Sequence, residues 1–153
     1  MEEAKNIFLI LDELRENAKQ VDNDGLKAVE TLITEANRIF IGGAGRSGFC
    51  ARGFSNRLMH LGYTVYFVGE PTTPSIQAGD LLIVGSGSGN TASLVSNVKK
   101  AKDQGAKVAT LTMFPENKIG SMADAIIKIP GVTEKCADQN EGGSVQASGS
   151  SFE

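Results

Sequence analysis

The chain has 153 residues, of which 41% are hydrophobic and 22% charged, and its formal net charge is −3. This length suffices for one domain with a substantial core, while the acidic balance and the lack of a basic run exclude nucleic acid and anionic membranes as expected partners. The sequence shows no signal peptide and no apolar run of about 18 residues. Its two cysteines match neither a zinc motif nor a disulfide framework. They favour a cytoplasmic protein, and the alternative is that they are incidental thiols.

Two helices are predicted in the first quarter of the chain. Apolar residues at helical spacing mark the first helix over about the first twenty residues, and its wide apolar surface predicts packing against more than one neighbour. The run Asn23-Asp24-Gly25 is interpreted as a break. A second helix is predicted from about Leu26 to Ala36.

Short apolar strands then alternate with helices. The predicted strands are Arg38–Gly42, Thr64–Val68, Leu81–Val84, Val108–Thr112 and Ala125–Ile129. Helices are predicted from the glycine loop at 43–48 to Leu61-Gly62 and from Ala92 to Gln104, with a helical turn at 119–123. The alternation predicts a three-layer αβα sandwich with a five-stranded parallel sheet, preceded by the N-terminal helices. Right-handed crossovers place its strand-to-helix loops at the carboxyl edge of the sheet.

The segment Gly85-Ser86-Gly87-Ser88-Gly89-Asn90-Thr91 follows a predicted strand and precedes a predicted helix. Its glycines let the backbone approach a ligand closely, while the loop amides and the helix N-terminus supply positive potential. Ser86, Ser88 and Thr91 add hydroxyl donors. Because no lysine follows the glycines, this is not a nucleoside triphosphate loop. The segment predicts a site for a small phosphate monoester.

The segment Gly43-Ala44-Gly45-Arg46-Ser47-Gly48 satisfies the dinucleotide fingerprint G-x-G-x-x-G, and Glu70 lies where a ribose-binding acid is expected. A nicotinamide-binding protein is therefore one alternative, and a tight turn without a ligand is another. A dinucleotide fold has no obvious use for a second serine-rich loop. The pair of loops favours one compact phosphate ester held between Ser47 and the hydroxyls of the second loop.

Together the two loops resemble the sugar isomerase (SIS) domain of phosphosugar enzymes, and the whole chain resembles the 6-phospho-3-hexuloisomerase (3-hexulose-6-phosphate isomerase) family. The other stretches that carry this resemblance are Arg57–Gly62, Gly69-Glu70, Thr73-Pro74, Gly79-Asp80, Gln146 and Gly149–Glu153. The resemblance implies a single flavodoxin-like SIS domain over residues 1–153. It also implies a homo-oligomer, a dimer or a tetramer, with shared active sites.

The activity implied by the resemblance is the interconversion of D-arabino-3-hexulose 6-phosphate and fructose 6-phosphate. In that family the pathway partner is 3-hexulose-6-phosphate synthase, in the ribulose monophosphate route of formaldehyde fixation. The reaction moves a carbonyl from C3 to C2 through an enediolate and in principle needs neither a metal nor a redox cofactor. A non-catalytic SIS module that binds a sugar phosphate and regulates a partner remains an alternative from a different class.

The resemblance also assigns roles to individual residues. Phosphate binding falls to Gly45, Arg46, Ser47, Ser86, Gly87, Ser88, Asn90 and Thr91. Glu153 matches the family's tail glutamate and is the candidate base, since a carboxylate suits proton abstraction from carbon. His60, the only histidine, is assigned proton transfer on oxygen or ring opening, with a surface histidine as the alternative.

His60 lies 13 residues beyond Ser47 on one predicted helix, which places it about 20 Å from its own phosphate loop. We therefore expect it to serve the site of a neighbouring subunit. The stripe of this helix predicted to face the sheet is Cys50, Phe54, Leu58 and Leu61. The stripe suited to contact between subunits is Phe49, Gly53, Asn56 and His60.

The end of the chain departs from the family pattern. Ala147 and Ser148 stand where the family has Pro and Met, which loosens the segment that presents Glu153. The run Ser150–Glu153 matches a capping box, which predicts the start of a helix, whereas family chains continue with a further C-terminal helix. A terminal Glu153 also carries the α-carboxylate. We therefore expect this chain to bind phosphate and to turn over slowly.

Overall fold

The computed structural model of the chain describes residues 4–153. Its centre is a five-stranded parallel sheet in the order β2-β1-β3-β4-β5. The strands are β1 (Ile39–Gly43), β2 (Val65–Phe67), β3 (Leu81–Gly85), β4 (Lys107–Thr112) and β5 (Ala125–Lys128). The helices are α1 (Lys5–Ala18), α2 (Asn23–Glu35), α3 (Gly45–His60) and α4 (Ala92–Asp103). Within this range no helix has the length and apolar character needed to cross a membrane.

The predicted αβα sandwich is confirmed, because the sheet separates two apolar clusters. Successive strand side chains point to opposite faces, so each strand feeds both clusters. On one face α2 and α3 cover Ile39, Ile41, Leu81, Ile83 and Ile127. On the other face α4 covers Phe40, Leu82, Val84 and Val108. Each of these large side chains contributes about 1.5–3 kcal/mol by leaving water.

The run Asn23-Asp24-Gly25 is the first turn of α2 rather than the predicted break. The Asp22 carboxylate caps this turn by accepting hydrogen bonds from the amides of Asp24 and Gly25 at 3.2 and 3.0 Å. Gly25 then lies against β5, where a Cβ would come within 2.6 Å of the Ile126 carbonyl oxygen. The glycine is needed for the close approach of helix and sheet.

α1 buries little of its apolar surface within one chain. None of its residues is buried, and its large apolar side chains that are 39–56% exposed are Ile7, Phe8, Leu9, Leu11 and Leu14. The predicted packing against several neighbours is therefore not made by this chain alone. α1 is instead tied to the C-terminal segment by Glu13, which accepts hydrogen bonds from Ser144 Oγ at 2.6 Å and from the Val145 amide at 2.8 Å.

An ion pair at the amino edge of the sheet joins the starts of β1 and β3. The side chain of Asp80 is 2% exposed, and Arg38 donates to both of its oxygens, at 3.0 and 2.5 Å. The amide of Gln77 donates a third hydrogen bond to Asp80 at 2.8 Å. This contact supports the register that pairs Gly43 with Gly85 at the opposite edge.

Candidate functional site

The junctions that follow β1 and β3 open at the same edge of the sheet, because the last residues of these neighbouring strands, Gly43 and Gly85, are paired. Both junctions line one cavity of about 260 Å³. Of the predicted site residues, this cavity gathers Gly45, Arg46, Ser47, Ser86, Gly87, Ser88, Thr91 and Glu153. Two junctions far apart in sequence therefore form one site.

The first junction is almost entirely helical. α3 begins at Gly45, so the predicted glycine loop is largely its first turn. A Cβ on Gly43 would lie 2.9 Å from Gly48 Cα, and a Cβ on Gly48 would lie 3.0 Å from Gly43 O. These glycines are explained by the contact of strand and helix. The carboxylate of Glu70, expected to bind a ribose in the dinucleotide alternative, forms an ion pair with Arg52 of α3.

The second junction is a longer loop that contains a turn, in which Ser86 O accepts from the Gly89 amide at 3.1 Å. Gly87 O accepts from the Met113 amide at 3.1 Å, and Ser88 O accepts from Asn117 Nδ2 at 2.9 Å. The Ser88 amide belongs to the same peptide unit as Gly87 O. Because the carbonyl and amide of one unit point in opposite directions, this amide is directed away from Met113. Within residues 4–153, the Gly87 and Ser88 amides donate to no acceptor. Such a row of outward amides attracts an anion.

Ser86 places a buried hydroxyl in the same wall. The residue is 3% exposed and lines the cavity, and its Oγ has no hydrogen-bond partner within residues 4–153. A buried polar group without a partner costs about 1–3 kcal/mol. A ligand oxygen in the cavity would remove that cost. Thr91 precedes α4 without using its hydroxyl as a cap, so a second hydroxyl remains for a ligand.

Glu153 also lines this cavity, where the first junction holds it. Its side chain is 17% exposed and its Oε2 is 2.9 Å from Arg46 Nε, while its Oε1 accepts from Ser47 Oγ at 3.1 Å. Arg46 Nη2 also donates to Ser148 O at 2.5 Å. The predicted capping box is not formed: residues Ser150–Phe152 make a single 3₁₀ turn without a side-chain cap. Arg46 and Ser47 of the first junction thus contact the carboxylate, and their role in phosphate binding stays a prediction.

Residues 32–152 match the SIS domain family. The chain belongs to that family. It is 42% identical over 155 residues to the 3-hexulose-6-phosphate isomerase of Bacillus subtilis, with all of this chain and 82% of that protein covered. It is 40% identical over 150 residues to the enzyme of the same name from Mycobacterium gastri, covering 98% of this chain and 74% of that protein.

A solved structure agrees with these sequence relatives. It is that of a hypothetical protein from Methanococcus jannaschii, described as inferring a molecular function of 3-hexulose-6-phosphate isomerase. The two structures superpose with a TM-score of 0.72 at 36% sequence identity, over 97% of this chain and 77% of that one. At this identity the likeness extends beyond the fold to the sequence.

Two of the predicted site residues lie outside the cavity of this SIS domain. Asn90 is exposed, and its Oδ1 accepts from the Lys118 amide at 3.3 Å. His60 is the last residue of α3 and is exposed at the end remote from the cavity. Both would need a rearrangement or a second subunit to reach a ligand in this chain's own cavity.

The predicted faces of α3 need one correction. Leu58 is buried against the sheet, but Cys50 is exposed, Phe54 is 40% exposed and Leu61 is 74% exposed. The covered stripe is Gly48, Ala51, Ser55 and Leu58. The predicted sheet-facing stripe was therefore displaced around the helix, and most of its apolar side chains lie at the surface.

Sequence reasoning missed one wall of the SIS cavity, which the irregular segment after β5 supplies. Its lining residues are Thr133, Glu134, Lys135, Ser148 and Gly149. Cys136 secures this segment, since its buried Sγ lies 3.9 Å from both Ser88 O and Asn117 Nδ2. Burial raises the pKa of the Cys136 thiol, and the charges of Asp138 and Glu116 add to this rise. The thiol therefore stays protonated and packs as a small apolar group.

Proposed function

We propose that this chain is a phosphosugar isomerase that interconverts D-arabino-3-hexulose 6-phosphate and fructose 6-phosphate. The observation that carries the proposal is the buried, unpartnered Ser86 hydroxyl beside the outward amides of Gly87 and Ser88. These groups suit a phosphate, and the Glu153 carboxylate lines the same cavity. The names of the two relatives and of the solved structure support the same substrate class.

In this proposal the second junction binds the phosphate at C6. The amides of Gly87 and Ser88 and the hydroxyls of Ser86, Ser88 and Thr91 line the cavity. They are neutral donors that stay in place without a ligand, because neighbouring groups of the protein hold the loop carbonyls. A preformed set of donors binds an anion without the entropic cost of ordering a loop.

Glu153 then acts on the carbon end of the sugar. Its carboxylate removes the proton from C2 of the hexulose, and a 2,3-enediolate forms. Return of that proton to C3 gives fructose 6-phosphate, while a second group carries a proton between O2 and O3. The contacts from Arg46 and Ser47 hold the carboxylate in one orientation, which favours transfer between adjacent carbons.

We assign His60 of a neighbouring subunit to the proton transfer on oxygen, within a dimer or a tetramer. The support is the apolar surface that one chain leaves exposed. On α3 and at its C-cap the side chains of Phe49, Met59 and Leu61 are 76%, 49% and 74% exposed, and the apolar face of α1 is exposed as well. Large exposed apolar patches mark interaction surfaces. Burial of these exposed side chains in an interface between subunits would place His60 in the same interface.

The proposal includes the setting of the reaction. The substrate is a product of formaldehyde fixation by 3-hexulose-6-phosphate synthase, which makes that enzyme the expected pathway partner. A cytoplasmic location is part of the same proposal. The two cysteines are free thiols, as is usual for proteins in a reducing compartment.

A ligand-binding measurement and a direct assay test the activity. Fructose 6-phosphate is expected to raise the melting temperature, whereas NAD(P) should leave it unchanged, because a ligand that binds only the folded chain stabilises it. Conversion of the hexulose 6-phosphate to fructose 6-phosphate is the decisive readout. Stabilisation without conversion would assign the chain to the non-catalytic sugar-phosphate modules. Stabilisation by NAD(P) alone would favour the dinucleotide alternative.

A mixing experiment tests the sharing of sites. His60→Ala and Glu153→Ala are each expected to be inactive alone. In a randomly mixed dimer they should recover about a quarter of the wild-type activity, because half of the dimers are mixed and each of these contains one intact site. Confirmed mixed oligomers without any recovery would remove His60 from the neighbouring site.

A further inference from the structure

We propose that Lys135 supplies the positive charge that pairs with the substrate's phosphate. This inference rests on the proposed function and adds to it a residue outside the two glycine-rich junctions. Lys135 lines the same cavity as Ser86, Gly87 and Ser88. It belongs to the irregular segment after β5, in the turn Glu134–Gln139.

The charges in the cavity wall point to this role. A phosphate monoester carries about −1.5 to −2 charges at neutral pH, whereas the second junction offers only neutral donors. The cations of the wall are Arg46 and Lys135. Arg46 is already engaged, because its Nε contacts Glu153 and its Nη2 donates to Ser148 O. Within residues 4–153 no carboxylate forms an ion pair with Lys135.

The segment that carries Lys135 is fixed on both sides of it. Thr133 is 8% exposed, its amide donates to Asn140 Oδ1 at 2.9 Å, and its Oγ1 accepts from the Lys135 amide at 3.4 Å. On the other side Cys136 is 6% exposed and lies against Ser88 O. Lys135 itself is exposed, and these two buried anchors hold its backbone next to the phosphate loop.

A second bridge ties the same turn to the loop. Asn117 Nδ2 donates both to Ser88 O at 2.9 Å and to Gln139 Oε1 at 3.0 Å. The turn that presents Lys135 and the loop that presents the amides therefore form one unit. A lysine ammonium is a compact point charge suited to a terminal phosphate, whereas the proposed function assigns the reacting carbons to Glu153.

The test compares Lys135→Gln and Lys135→Arg with Lys99→Gln, which removes an exposed lysine of α4 outside the cavity. The readouts are kcat and KM for fructose 6-phosphate and the inhibition constant of inorganic phosphate, which reports on the phosphate site alone. For Lys135→Gln we expect KM and the inhibition constant to rise about 10-fold or more, because a charge-assisted contact is lost. Lys135→Arg should recover most of the affinity, and Lys99→Gln should match the wild type.

The outcomes separate the inference from the function on which it rests. An unchanged inhibition constant in a Lys135→Gln variant with the wild-type melting temperature would overturn the role of Lys135 alone. A fall in kcat with unchanged KM and phosphate inhibition would overturn it too, because it would move the lysine to the reacting carbons. If wild-type chain bound neither fructose 6-phosphate nor inorganic phosphate, the proposed function itself would fail.

Discussion

The two junctions of this SIS domain start from paired glycines and then diverge. After Gly43 the chain enters α3 almost at once, whereas after Gly85 the residues Ser86–Thr91 separate β3 from α4. The helical junction presents charged and hydroxyl side chains that contact Glu153. The longer junction after β3 presents backbone amides and a buried hydroxyl.

This difference shows how one architectural position supports two tasks. In the proposed function the loop amides bind an anion that arrives with the substrate, because their direction is fixed by the loop. Side chains on a helical turn serve a group that belongs to the protein itself. Glycine pairs at equivalent positions are therefore weak evidence for two phosphate contacts. The predictions below separate the carboxylate end of the site from the phosphate end.

The largest effect is expected from Glu153→Gln. Loss of the base should lower kcat by about 10²- to 10⁴-fold, while the dissociation constant of fructose 6-phosphate changes little, because the second junction holds the phosphate. Turnover assays and calorimetry measure the two effects. Glu70→Gln, a change of the same kind outside the cavity, is the control. Loss of binding together with turnover would show that the two ends are not separable.

Gly48→Ala is expected to damage the helical junction itself. The added Cβ would lie 3.0 Å from Gly43 O, and such overpacking costs about 1–3 kcal/mol in the free energy of unfolding. Gly53→Ala is the matched control on the same helix, since within residues 4–153 nothing beyond its chain neighbours and the helix's own backbone lies within 4 Å of a Cβ there. Chemical denaturation should show destabilisation only for Gly48→Ala, and equal effects would refute the steric explanation.

In the longer junction after β3, Ser86→Ala is expected to change the affinity for phosphate without lowering the stability of the chain. Because the Ser86 hydroxyl is buried and has no partner in the part of the chain that the structure describes, its removal should leave the unliganded chain as stable as before or slightly more stable. Affinity for inorganic phosphate should fall by about 10-fold. Ser96→Ala, at an exposed position of α4, should change neither quantity. A destabilised Ser86→Ala chain with unchanged affinity would contradict the assignment.

Ser47→Ala tests which end the first junction serves. Since Ser47 Oγ donates to Glu153, its loss should lower kcat a few-fold and leave the inhibition constant of inorganic phosphate unchanged. Ser47→Thr keeps a hydroxyl and should restore part of the rate. A weaker phosphate site with normal kcat would return Ser47 to the phosphate role that the sequence predicted.

The smallest effect concerns a carboxylate remote from both junctions. Burial raises the pKa of Asp124, but hydrogen bonds from Lys102 and the Val108 amide outweigh it, so the net pKa is lowered from its ordinary 3.8. Its contribution to stability is therefore present above pH 3.8 and lost as the pH falls through the lower folded value. Asp124→Asn should flatten the acid side of the stability curve by less than about 1 kcal/mol. An unchanged curve would contradict this.

Much of the sheet was predictable because its signals are local. Apolar runs set each strand to within about one residue, and the glycine-hydroxyl segment after β3 was predicted as an anion site and does line the cavity. The interpretation of Gly25 as part of a break was wrong, because this glycine permits a close tertiary contact with β5. Phe54 and Leu61 were assigned to the core because an exposed apolar patch on a helix has the same sequence pattern as a buried one.

The remaining wall of the site follows no periodic pattern. Lys135 and Ser148 lie in an irregular segment whose path depends on distant contacts, such as those of Glu13 with Ser144 and of Arg46 with Ser148. The sequence shows neither contact. The partner of Glu153 was missed for the same reason, because a capping-box pattern reports only on neighbours along the chain.

The hydrogen bond from Arg46 to Ser148 spans 102 residues, whereas Gly87 and Ser88 find their side-chain partners 25 and 29 residues away. Closing a longer loop costs more chain entropy, and contacts between distant residues form later during folding. We expect the loop Ser86–Thr91 to form together with the sheet and the C-terminal segment to dock afterwards. If the proposed roles hold, the folding protein forms its phosphate site before the carboxylate that acts on the sugar is in place.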